Sequence, residues 1–321
     1  MKNLLFYFLF IFTFSLFSQE IKQDTTRFQN LEEVIVSSIR VKKNAPIAFT
    51  NVSKDELGKK NLGQDLPILL NSLTSVVTTS DAGAGVGYTG IRIRGINAQS
   101  TNITINGIPY NDAESLGTFW VDLPDFASSV ENLQLQRGVG TSTNGSSAFG
   151  ASINILTDLI SKTPYFENSN SIGSYNTTKN TFKFSTGILN DYFEFSGRLS
   201  KIDSDGYIDR SSSDLKSYFL QVNYKKENTL IKALSFGGHE ITYQAWNGID
   251  EETLQSDRTY NPSGMYIDQS GDIQFYDNEV DNYKQDHYQI HWSQIINSRL
   301  TSNLSFNLTN GLGYYEQYKE N

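Results

Sequence analysis

The segment Leu300–Thr309, LTSNLSFNLT, puts Leu300, Ser302, Leu304, Phe306 and Leu308 on one side and Thr301, Asn303, Ser305, Asn307 and Thr309 on the other. A period of two is the signature of a strand with one apolar and one polar face. The pattern recurs in Thr181–Ile188, with Phe182, Phe184 and Ile188 opposite Lys183, Ser185 and Gly187. It recurs again in Tyr192–Lys201, where Phe193, Phe195, Gly197 and Leu199 face away from Tyr192, Glu194, Ser196, Arg198 and Ser200. Strands of about ten residues with this alternation suit a transmembrane β-barrel. A soluble β-sandwich alternates too, so the connections decide. Seven strands are expected near 166–173, 178–188, 192–201, 215–225, 229–242, 286–297 and 300–311. A short loop at Ser174 and tight turns at Asn190-Asp191, Glu227-Asn228 and Asn297-Ser298 contrast with long loops at 202–214 and 243–285. Short turns on one rim and long loops on the other is the outer-membrane arrangement. The 18 Tyr and 20 Phe against 6 Pro agree with a strand-rich chain.

The N-terminus reads as an export signal. Met1-Lys2-Asn3 is a short positive start, and Leu4–Phe17 is hydrophobic apart from Thr13 and Ser15, ending at Ser18-Gln19. That length fits a signal-peptide core and is short for a spanning helix, which sets the signal at residues 1–18. No later run approaches a membrane helix, so membrane insertion must use strands. The absence of cysteine excludes disulfides, thiolate metal sites and a lipid-modified N-terminal cysteine. The net charge of −9, with no basic patch, argues against a nucleic-acid partner.

Residues 19–44 form a polar N-terminal segment that contains LEEVIVSSIR, Leu31–Arg40. Its Val34-Ile35-Val36 run is either a short edge strand or an extended peptide that adds to a partner's sheet edge. A compact domain is expected over 45–157. Ser53 and Glu56 have capping-box spacing, Gly58 keeps that helix short, and Gln64–Leu73 carries leucines at helical spacing with Pro67 in the first turn. Val76-Val77-Thr78 reads as a strand. IRIRGINAQSTNITINGIPY, Ile91–Tyr110, reads as a buried hairpin turning at Asn106-Gly107. Gly85–Gly90 matches the dinucleotide-binding fingerprint literally, but a strand rather than a helix follows, so that reading is rejected. Asn111–Pro124 is expected to be a loop exposing Phe119 and Trp120, and Phe126–Gly138 a helical turn and a strand. No serine cluster has the flanks of a nucleophile elbow, and no catalytic residue, metal set or cofactor site emerges.

In this order the segments resemble a TonB-dependent outer-membrane receptor of Bacteroidetes-type bacteria. LEEVIVSSIR resembles a TonB box. IRIRGINAQSTNITINGIPYND resembles a plug segment, with Asn106 where the family usually has aspartate, and VENLQLQRGVGTSTNGSSAFGASINILT resembles the closing segment. The resemblance implies an α+β plug domain over 45–157 and part of an antiparallel transmembrane β-barrel over 165–321, about seven strands of a roughly 22-stranded whole. Seven strands cannot close around a plug, so the sequence is expected to be incomplete or from a truncated gene. The short linker before the TonB box differs from SusC-type glycan importers.

The function implied is active import of a scarce nutrient, a ferric siderophore or other iron complex. Cobalamin, haem or another metal complex is the alternative ligand, and a non-transporting adhesin or structural protein the alternative class. The implied partners are the TonB energy-transducing complex through Glu33, Val34, Ile35 and Val36, outer-membrane lipids and a small metal-complex ligand. Arg94-Gly95, Asn106-Gly107 and Arg137-Gly138 are the motif residues. Arg94 and Arg137 are candidates to pair with barrel carboxylates, because buried guanidinium groups need partners. Tyr88, Tyr110, Asn111, Trp120 and Trp246 are the ligand-facing candidates. The loop 243–285 holds nine acids against Arg258 and Lys284, a poor trap for an anionic chelate. His239, His287 and His291 are expected to line the lumen rather than bind metal.

Overall fold

The computed structural model describes residues 40–41, 45–140, 149–297 and 299–319. The expected signal peptide and the TonB-box residues Glu33–Val36 lie outside these.

The first layer is a small α/β unit. Strand β1 (Phe49–Ser53) leads into helix α1 (Lys54–Lys60), capped by Ser53 and Glu56 in the reciprocal manner the spacing predicts. Asp55 and Glu56 in its first turn and Lys59 and Lys60 in its last complement the helix dipole, and the helix runs through Gly58. The expected helix over Gln64–Leu73 is only one turn, α2 (Leu66–Leu69), with Pro67 in that turn. Leu66, Leu69 and Leu70 are nevertheless all buried, so the leucine spacing marks a packed surface more than a long helix.

Strands β2 (Val76–Ser80) and β3 (Thr89–Ile93) form a separate antiparallel ribbon. Strands β4 (Thr101–Ile105), β5 (Ile108–Pro109), β6 (Val130–Arg137) and β7 (Ala151–Thr157) join β1 in a mixed sheet ordered β1-β6-β7-β4-β5. This corrects the single hairpin expected over Ile91–Tyr110. Ile91 and Ile93 pair with Val76–Thr78, whereas β4 lies parallel to β7 and exchanges only two residue pairs with β5. The Asn106-Gly107 turn is where it was expected, both residues at positive φ. Arg94-Gly95 makes a second turn of the same kind, with φ of 55° and 77°. Two type-I′-like turns therefore delimit two different ribbons. The core shared by these layers includes Leu57, Leu70, Ile93, Ile103, Ile105, Leu133, Leu135 and Ile153.

The second layer is one antiparallel sheet of seven strands, β8 (Pro164–Ile172), β9 (Thr178–Thr186), β10 (Phe193–Ser204), β11 (Ser213–Lys226), β12 (Thr229–Tyr243), β15 (Val280–Asn297) and β16 (Leu300–Tyr315). All seven expected strands are present. The long loop carries helix α3 (Glu251–Ser256) and a small hairpin of β13 (Met265–Ile267) with β14 (Ile273–Phe275). In β10 alternation divides the faces as read, with Phe193, Phe195 and Leu199 exposed and Glu194, Ser196, Arg198 and Ser200 buried; β15 follows the same rule, with Ile290 and Trp292 exposed and Gln289 and His291 buried, whereas β16 is exposed on both faces. The burial of the inward residues of β10 and β15 comes from the first layer, which packs on the inner face. Phe126 sits against Phe219 and Phe236 of the wall, with ring centroids 6.5 and 5.3 Å away. Among the described residues, no helix is long and apolar enough to cross a membrane.

Candidate functional site

The seam between the α/β unit and the inner wall is where charge collects. Near its middle, Asp125 takes a left-handed backbone conformation after Pro124 and turns its carboxylate into the wall. Lys179 Nζ lies 3.1 Å from Asp125 Oδ1 and Arg198 Nη1 3.4 Å from Oδ2. Thr181 and Ser200 hydroxyls each donate to Oδ2 at 2.6 Å, and Ser128 and Asn61 donate to Oδ1. Burial by itself would raise this carboxyl, but the two cations and the hydroxyls outweigh it and hold it well below the usual range.

Asp158, just past β7, is anchored the same way. Lys183 of the wall lies 2.6 Å from Oδ2 and Lys54 of α1 2.7 Å from Oδ1. Again burial pushes the carboxyl up and the lysines prevail, so it stays depressed. Lys183 also donates to Ser128 O at 2.7 Å. Lys232 donates to Thr157 and to the Asp158 carbonyl.

These pairs do not involve the arginines expected to form the lock. Arg94 lies exposed at its turn. Arg137 donates to Thr74 O and Thr50 Oγ1, both within its own layer. Neither meets a wall carboxylate among the described residues. The described ion pairs across the seam run from carboxylates of the α/β unit to cations of the wall. Sequence reasoning missed Asp125, Asp158, Lys179 and Lys183. The available signal was that Lys179, Lys183 and Arg198 share the inward parity of their strands. Asn106 bridges both layers: its Oδ1 accepts from Thr157 N at 3.0 Å, and its amide reaches Gln289 at 3.4 Å.

At the end of the seam nearer the long loop the composition changes. Tyr88 donates to Asp281 and lies 3.3 Å from Glu240 Oε1, and Trp246 meets its ring edge-on at 5.2 Å. Tyr88 and Trp246 were both expected to face ligand, and the fold brings them together. Tyr110 and Asn111 line a cavity of about 330 Å³ between residues 109–122 and strands β15 and β16. Tyr110 reaches Gln285 Oε1 at 3.3 Å and its ring lies 5.1 Å from that of His287. Asn111 braces its own loop through Ile103 N, Thr101 O and Leu116 O. Trp120 was expected in an exposed loop; instead it begins a 3₁₀ turn (Trp120–Asp122) and is only 3% exposed, packed into the core, while Phe119 remains exposed. Its indole is apolar enough to fill a core gap, which a loop reading could not foresee. His287 and His291 lie on the inner wall, hydrogen-bonded to Gln285 and Gln289, and no metal cluster occurs among the described residues.

Residues 41–152 match the family model described as TonB-dependent Receptor Plug Domain. The chain carries a TonB-dependent receptor plug. Over 267 residues it is 23% identical to a probable TonB-dependent siderophore receptor, PirA, of Acinetobacter baumannii, covering 76% of this chain and 33% of that protein. The crystal structure of the ferric citrate transporter FecA superposes with a TM-score of 0.67 at 16% identity, covering 85% of this chain and 41% of the other. The ferric-catecholate import receptor Fiu of E. coli K12, in its open form, gives 0.63 at 15% identity, with 84% and 39% covered. Plug strands on the inner face and barrel strands around them are thus the fold shared with these receptors. The chain spans about a third of the length of the curated relative it matches, and its seven-stranded sheet corresponds to part of a barrel.

Proposed function

We propose that the chain serves TonB-dependent import of an iron complex, a ferric siderophore above all, across the outer membrane. The observation that carries this reading is a plug clamped by buried ion pairs against a wall whose other face is apolar. A wall apolar outside and polar inside suits a lipid-facing barrel strand set. A plug held by a few discrete ion pairs, rather than by a continuous apolar interface alone, is suited to be shifted by a pull and to return.

On this reading the chain is exported by its signal peptide to the outer membrane. Ligand reaches the plug from the side of the long loop, where Tyr88, Trp246, Tyr110 and the cavity lie. The TonB complex pairs with Glu33–Val36 as an added strand and pulls, and the plug moves to open a path along the wall. No bond is made or broken in the ligand, so no catalytic residue is needed. The curated relative named as a siderophore receptor supports iron-complex import over other cargo.

The test is Val34→Pro introduced at the native locus. Proline removes a backbone donor from the strand that TonB must pair with. Energised uptake of radioiron-labelled siderophore should fall to background while cell-surface binding is unchanged. Uptake at the original rate would remove the TonB-box assignment.

A further inference from the structure

The mixed sheet of the plug is buried on both faces. One face, with Leu133, Leu135, Ile153 and Ile155, belongs to the core. The alternate residues are polar, Gln134 and Gln136 on β6, Ser152 and Asn154 on β7, and none of these is more than 2% exposed. The segment that precedes β1 lies on this polar face. Arg40 donates through Nη1 to Asn132 Oδ1 and through Nη2 to the carbonyls of Asn132 and Asn154, at 3.2 and 3.0 Å. Val41 donates its N–H to Gln134 Oε1 at 2.8 Å, and its carbonyl accepts from Gln134 Nε2 at 3.2 Å. The glutamine amide thus exchanges both bonds with one residue's backbone, as a neighbouring strand would. Its remaining positions are filled as well: Nε2 donates to Asn51 Oδ1 and Oε1 accepts from Gln136 Nε2, both at 2.9 Å. A buried amide with all four positions satisfied is held in one orientation.

These contacts decide where a pull on the N-terminal segment is felt. Strand β1 is an edge strand, paired with β6 alone over five residues, so a load on it would peel that strand and leave the rest of the sheet in place. Arg40 and Val41 come before β1 in the chain, and their hydrogen bonds end on β6 and β7 inside the sheet. Each of those strands adjoins a clamp: β6 follows the turn that starts at Asp125, and β7 runs directly into Asp158. We propose that Arg40 and Val41 are the anchor through which tension on the TonB-box segment enters the plug, with Gln134 as the positioning residue, so that the load reaches β6, β7 and their ion pairs before it reaches β1. The anchor stands on geometry alone. Its use in transport rests on the import reading.

The Arg40–Val41 bond is itself a tryptic site, which lets the anchor be read without transport. Gln134→Glu keeps the shape and the acceptors of the side chain and removes both donors. On the chain in detergent micelles it should speed scission after Arg40, followed by mass spectrometry, about tenfold, the extra opening expected when a buried hydrogen bond is lost. Cleavage after the exposed Lys59 should stay within about twofold, because the rest of the plug is untouched. If Gln134→Glu fails to fold, Arg40→Lys serves, since it keeps the cleavage site and replaces the planar fork by a point charge. Unchanged scission after residue 40 in both variants would overturn the anchor. The load path is tested at the native locus. With Arg40→Cys and Asn132→Cys added to Gln134→Glu, energised uptake of radioiron-labelled siderophore should be lost, and joining the two cysteines with a short bis-maleimide should restore it. Uptake that stays lost once the segment is tied to β6 would overturn the load path, since the segment would then have to leave the plug. Uptake at the original rate without the tie would overturn it too. If Val34→Pro leaves uptake intact while scission behaves as stated, the import reading falls and the anchor stands; if Val34→Pro abolishes uptake while scission is unchanged, this inference alone is removed.

Discussion

Asp122 and Asp125 stand three residues apart in Trp120–Asp125, both at 5% exposure or less, and the barrel wall treats them oppositely. Asp125 is met by Lys179, Arg198 and three hydroxyls. Asp122 is met by further acids. The carboxyl of the first is held far down, that of the second is pushed up to about 7. The difference teaches that burial alone does not set the role of a charged plug residue; the wall residues of inward parity do. Where the wall offers cations the plug is fastened. Where it offers carboxylates, a space is left open on the side of the long loop.

The sharpest way to break this contrast is to remove the fastened carboxylate. Asp125→Ala leaves two buried cations without their partner, at a cost of about 3–5 kcal/mol. It should appear as a lower midpoint in denaturant unfolding of the chain in micelles and as faster tryptic cleavage of the plug. If stability is unchanged, Asp125 is not the clamp.

The two aspartates should also respond to pH with opposite sign. Asp125 has a depressed folded value, so its stabilisation is present above the unfolded value of about 4 and is lost as pH falls through the lower folded one. Asp122 has a raised folded value, so its destabilisation is absent below about pH 4 and complete above about pH 7. Asp122→Asn should therefore stabilise the chain at pH 8 by roughly 2–3 kcal/mol and have little effect at pH 4, the full linkage being reduced by the burial of the amide. Unfolding midpoints of the two proteins at both pH values check this. A variant destabilised at pH 8 would mean that Asp122 has a partner.

The smallest effect serves as a control within the plug but away from the seam. Ser53→Ala breaks the capping box of α1 and should cost about 1 kcal/mol with no change in the pH profile. A change in that profile would show that the plug responds as a whole rather than at the two aspartates.

Much of the barrel was legible because its signal is local. A strand with lipid on one side and protein on the other must alternate, and the residues at each step, such as Phe193 against Glu194, declare their face. The capping box and the Asn106-Gly107 turn were legible for the same reason, since each rests on residues within a few positions. Strand partners in the plug were not. Ile91 and Ile93 read as one arm of a hairpin with Ile103 and Ile105, yet they pair with Val76–Thr78. An alternating run fixes which face is buried and says nothing about which strand lies beside it.

The sequence by itself thus determined the order of the α/β unit and the strands, the two faces of β9 and β10, and the acidity of the long loop. Only the tertiary structure decided the members of the clamp, placing Asp125 and Asp158 against Lys179, Arg198 and Lys183 while leaving Arg94 exposed. It also decided that Trp120 is core and that Asp122 stands near the carboxylates of Asp281 and Asp112. The reason is physical: periodicity is a property of neighbouring residues, whereas the energy of a buried charge depends on groups far away in the chain, 104 positions for Lys54 and Asp158, that packing brings within about 3 Å.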